Sequence, residues 1–81
     1  MTDYTLTQIV EKSRDAKRGG KDAWSVQSTG EKLAVALVLN KPEWLAAMDY
    51  TMAEAIDRIG ADWLARIPKA ARLLADEDAE A

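Results

Sequence analysis

The stretch Ser28-Thr29-Gly30-Glu31-Lys32-Leu33-Ala34-Val35-Ala36-Leu37-Val38-Leu39-Asn40 decides how this chain folds. From Leu33 to Leu39 every residue is apolar, so the element they form has no side to present to water. Periodicity alone leaves a buried strand open, because a short apolar run fits either state. Three features favour a helix. Ser28 and Glu31 have capping-box spacing, alanines alternate with the larger side chains, and Asn40 suits a helix C-terminus. A helix with no polar face belongs at the centre of a bundle, and the flanking sequence must then supply the helices that wrap it.

Downstream, Pro42 suits the first position of a helix and Glu43 complements its dipole, with Trp44, Leu45 and Met48 following. Thr51 and Glu54 form a second capping box. Behind it Met52, Ala55, Ile56 and Ile59 make an i, i+3, i+4, i+7 stripe that ends at Gly60, which predicts that Ile56 is a core residue. The phrase Glu43-Trp44-Leu45-Ala46-Ala47-Met48 returns nineteen residues later as Asp62-Trp63-Leu64-Ala65-Arg66-Ile67. Stacked repeats need about three units, so two copies reflect shared helix-start chemistry and assign Trp44 and Trp63 to the core. Pro68 interrupts after Ile67, and a last helix starting there turns Ala71 and Leu74 inward.

Upstream, Thr5 and Gln8 have capping-box spacing, and Leu6, Ile9, Val10 and Ser13 share a face. This predicts a first helix from about Thr5 to Arg18, closed by Gly19-Gly20. Lys21 to Gln27 reads as an ordered loop anchored by Trp24. The whole is an all-α, compact bundle of five or six short helices. Residues 1–75 form one domain, and the acidic tail over 76–81, with no apolar residue larger than alanine, is expected to be disordered.

With 81 residues the chain buries only about 60 to 65% of the surface its unfolded form exposes. It has no cysteine for a disulfide and no histidine, so packing carries nearly all of its stability. If the other helices cover Leu33 to Leu39 on one side only, a second copy must cover the other, and a homodimer follows. No apolar run approaches the roughly 20 residues that span a bilayer, so no membrane association is expected. The first residues lack an apolar signal region, and the expected location is cytoplasmic.

Charge is divided unevenly. Residues 1–41 hold seven basic and five acidic side chains, and residues 42–81 hold four and nine, within a net charge of −3. Lys12, Arg14, Lys17, Arg18 and Lys21 cluster in the first helix and just beyond it, while Asp76, Glu77, Asp78 and Glu80 crowd the end. No residue set has the spacing of a catalytic, metal or nucleotide site. The serines have no histidine to activate them, Gly30-Glu31-Lys32 lacks the glycines of a phosphate loop, and Glu54 and Asp57 face solvent. Neither enzymatic activity nor a cofactor is expected.

The expected function is therefore that of a small, non-enzymatic protein–protein interaction module, with Trp24 and the cluster Lys12, Arg14, Lys17, Arg18 and Lys21 as the partner-binding candidates. High alanine content and small size suit a bacterial or phage accessory protein. The alternative is a small transcriptional regulator or nucleic-acid-associated protein that uses the basic first helix. It ranks lower because the chain is acidic overall. As a helix-turn-helix, the segment around Gly60 offers only Arg66 for base contact and starts its second helix with Asp62.

Overall fold

The computed structural model describes residues 3–80. Its axis is α2 (Thr29–Val38), which α1 (Tyr4–Ser25), α3 (Pro42–Ala47), α4 (Met52–Ile59) and α6 (Ile67–Glu80) surround; α5 (Ala61–Leu64) is a single turn between α4 and α6. The bundle is all-α, with no strand among the described residues. Leu33 to Leu39 is helical apart from Leu39, which caps it, and Leu33, Ala34, Val35 and Ala36 are fully buried. Four helices wrap α2, so its burial requires no second copy.

Local signals account for most helix ends. Both downstream capping boxes form: the hydroxyls of Ser28 and Thr51 accept from the backbone N–H groups of Glu31 and Glu54, whose carboxylates accept in return from the cap N–H groups. α2 and α3 end alike, on a non-glycine residue in the left-handed region. Asn40 (φ 55°) lets Lys41 N–H reach the Ala36 carbonyl, and Asp49 (φ 61°) lets Tyr50 N–H reach that of Leu45.

At the first helix the cap is Asp3 rather than Thr5. Its carboxylate accepts from Leu6 N–H at 3.0 Å and from Arg66 Nε at 3.0 Å, a second use that the hydroxyl of Thr5 does not match. The glycine pair breaks the helix as expected, but the chain does not become a loop. Gly20 (φ 69°) kinks α1, and Lys21 to Ser25 add another helical turn. A Cβ on Gly19 would lie 2.5 Å from that of Ala23, so the returning turn requires glycine there.

This turn delivers Trp24 to the core. The ring is 3% exposed, stacks on Trp44 with centroids 4.8 Å apart, and donates from Nε1 to the Lys32 carbonyl at 2.9 Å. One apolar cluster gathers around this pair, with Leu33, Val35, Ala36 and Leu45. A second joins Leu6, Ile9 and Val10 of α1 to Val38, Ala70 and Leu74. Trp44 is buried as expected, and Trp63 is half-buried against the second cluster.

The stripe on α4 is rotated from its expected orientation. Ala55 is fully buried and Ile59 is packed against the core, whereas Ile56 is 40% and Met52 51% exposed. The small side chain of Ala55 lets α4 approach α2 along the Ala55–Ile59 line, leaving Ile56 at the edge of the contact.

The order of the ion pairs Asp3–Arg66, Arg14–Glu77 and Lys17–Asp78 shows that α1 and α6 run in the same direction. α6 continues through Asp76, Glu77 and Asp78 to Glu80, where the sequence predicts disorder. Acids at a helix C-terminus oppose its dipole, and here the cations of α1 offset that repulsion. Ala81, the last residue of the expected tail, lies outside the described residues.

Trp24→Ala should cost about 3 to 5 kcal/mol by emptying the stacked pair and leaving Trp44 uncovered, whereas Ile56→Ala should cost less than about 1 kcal/mol. Urea denaturation of the two variants checks the contrast. Ser13 is fully buried and its hydroxyl has no hydrogen-bond partner. Ser13→Ala should therefore be neutral or stabilising by up to about 1 kcal/mol in the same assay.

Candidate functional site

Arg14, Lys17 and Arg18 stand at i, i+3 and i+4 on α1 and form one face; exposed Lys21 follows just beyond the Gly20 kink. The structure separates the other two partner-binding candidates from this set. Lys12 leans toward the start of α2, where its ammonium lies 4.0 Å from the Glu31 carboxylate. Trp24 is enclosed in the core and has no surface to offer a partner. The anchor of an expected loop is open to either core or surface, and the helical turn after Gly20 brings this one onto Trp44.

Two of the three cations on the α1 face are engaged by α6. The Arg14 guanidinium grips Glu77 with two bonds, Nε to Oε1 at 3.1 Å and a terminal nitrogen to Oε2 at 2.6 Å. Lys17 pairs with Asp78. Arg18 has no ion-pair partner among the described residues, yet its charge joins those of Arg14 and Lys17 in acting on Glu77. The Arg14 hydrogen bonds, followed by the charges of Arg14, Lys17 and Arg18, hold the Glu77 carboxyl below its ordinary value.

Beside this face is a cavity of about 350 Å³, bounded by Ala16, Lys17, Gly20, Leu39, Lys41 and Trp44. Its floor is apolar and two lysines stand at its rim. Local backbone geometry builds it: the Gly20 kink turns α1 aside, and the Asn40 turn ends α2 so that Lys41 and then Trp44 border the opening. Sequence reasoning did not identify Leu39, Lys41 or Trp44 as neighbours of the basic cluster, because only the packing of α3 beside the kink brings them there. The contact with α6 did leave a trace. Asp3 and Arg14 are separated by eleven residues, as are Arg66 and Glu77, with opposite signs at each pairing, which fits two helices in parallel register over about 16 Å.

A second cavity, of about 210 Å³, touches Gln8, Ser28, Glu31, Arg58, Ile59 and Trp63. Its Gln8, Ser28 and Glu31 already serve the protein, and Arg58 has no ion-pair partner among the described residues. The Glu31 carboxylate accepts from Ser28 N–H and Gln8, and its carboxyl is held low chiefly by the Ser28 backbone bond. No helix among the described residues is long and apolar enough to cross a membrane.

Since the folded state lowers the Glu77 pKa, its pairing contributes stability above the ordinary glutamate value of about 4.3 and loses it as pH falls through the folded value. Acidification should thus release the last turn of α6 while α2 stays intact, so hydrogen-exchange protection, taken relative to the intrinsic rate at each pH, should fall at residues 76–79 before Leu33 to Val38. No protein-family model, curated protein or solved structure matches this chain.

Proposed function

We propose that this protein is a non-enzymatic module that binds another protein through the cationic face of α1 and the cavity beside it. The observation that carries this reading is the combination of an apolar floor formed by Trp44, Leu39 and Ala16 with Lys17 and Lys41 at the rim. Such a site suits an apolar side chain flanked by negative charge, the pattern of an anchored protein contact. A nucleic-acid surface would need more cations free to meet phosphates. Here the net charge is −3, and α5 spans only four residues where a recognition helix would lie.

The double variant Arg18→Glu/Lys41→Glu reverses charge at the face and the rim while keeping Arg14 and Lys17, the two residues that pair with α6. A partner retained by the immobilised parent protein should be lost by this variant, while the melting temperatures of the two remain within about 2 °C, as suits exposed substitutions. Retention of the same partner by both proteins would place binding elsewhere. A shift of duplex DNA by the parent protein at moderate salt, abolished in the variant, would transfer the face to nucleic acid.

A further inference from the structure

The cationic face already has an occupant from within the chain. Glu77 and Asp78, adjacent in sequence, place their carboxylates on Arg14 and Lys17, and Lys17 also lines the cavity. The segment that supplies them is weakly anchored. Leu74 is the last buried residue of α6, and residues 75–79 are all exposed. Asp76, Glu77 and Asp78 also lie at the helix end that disfavours negative charge, so the cations of α1 are what hold this turn in place. Exposed ion pairs are individually weak and screened by salt, which makes the contact easy to exchange. None of the residues that line the adjoining cavity belongs to α6, so α6 meets the charged part of the site and leaves the apolar part open.

We infer that the partner presents an acidic peptide segment with at least two carboxylates beside one large apolar side chain, and that the end of α6 is its built-in competitor. This inference rests on the docking role proposed above. The carboxylates replace Glu77 and Asp78 on Arg14 and Lys17, and the apolar side chain enters over Trp44 and Leu39 between Lys17 and Lys41. Charge complementarity favours an acidic peptide, and the apolar floor distinguishes it from a polyanion that has only phosphates to offer. The intramolecular occupant then sets a threshold, because a ligand with charge alone gains little over Glu77 and Asp78, whereas one with an apolar anchor makes a contact that α6 does not.

Fluorescence anisotropy with two labelled peptides tests this. Both carry four glutamates around a central residue, leucine in one and alanine in the other. With the full chain, Glu77→Gln/Asp78→Asn should bind the leucine peptide about three- to tenfold more tightly than the parent protein at low salt. The alanine peptide should bind at least about fivefold more weakly, and Lys41→Gln should weaken the leucine peptide in either background. If the double variant melts early, Glu77→Gln alone removes the two-bonded pair and carries the same expectation. Unchanged affinity in the Glu77 and Asp78 variants would overturn the competitor role. Equal binding of the two peptides would remove the cavity from the site. Displacement of the leucine peptide by duplex DNA at lower concentration than by unlabelled peptide would reassign the face to nucleic acid. Failure of both peptides to bind any of the proteins would defeat the docking role itself.

Discussion

Burial of α2 on every side is the constraint from which the rest of the fold follows. An apolar helix with no polar face is stable in water only when neighbours cover its whole circumference, and a chain of this length has few elements with which to do it. The cover comes from helices before and after α2 in sequence: α1 ahead of it, and α3, α4 and α6 behind it. Short connections place α3 and α4 beside α2 almost automatically. α1 and α6 are far apart in the chain, and their meeting is governed by apolar contact through Ile9, Val10, Ala70 and Leu74 and by register-setting charge at both ends.

The same placement determines where charge accumulates. Each ion pair between α1 and α6 is exposed and individually weak, yet the set has opposite polarity at its two ends: acid on α1 near its start, base on α1 further along. Sliding α6 by one turn would misalign both ends at once, so the pairs act more on register than on stability. Once α6 is fixed, its acidic end lies over the cations of α1, next to the opening formed where α1 bends and α2 stops. The candidate site is thus a by-product of how the central helix is enclosed.

What the sequence made legible was local. The capping residues Ser28, Glu31, Thr51 and Glu54, the helix start at Pro42 and the break at Gly20 all depend on neighbours within four residues, and each was readable. The centrality of Leu33 to Leu39 was readable too, because it depends only on composition. Orientation was not. Whether Trp24 faces inward depends on Trp44, twenty residues away, and whether Ile56 is buried depends on how closely Ala55 lets α4 approach. The end of α6 looks disordered in isolation, whereas the helix continues to Glu80 with Glu77 and Asp78 paired to Arg14 and Lys17, a contact across more than sixty residues that no local signal announces. The candidate site was half legible: its cations form a visible cluster, whereas its apolar floor joins residues from three separate helical regions.

The division of the core into two clusters also bears on the order in which the chain acquires structure. The cluster around Trp24 and Trp44 draws on residues 16 to 55 and closes over modest sequence separations. The other requires Leu6 and Ile9 to meet Ala70 and Leu74 across more than sixty residues. Closing so long a loop costs more chain entropy, and the contacts that offset the cost form only when both ends are present. The tryptophan cluster can therefore assemble before α6 docks, while Leu6, Ile9 and Val10 of α1 have Val38 and Leu39 to pack against but not yet Ala70 and Leu74. Completion of the domain waits on Ala70 and Leu74, and until they dock the apolar side of α1 around Leu6, Ile9 and Val10 is only partly covered.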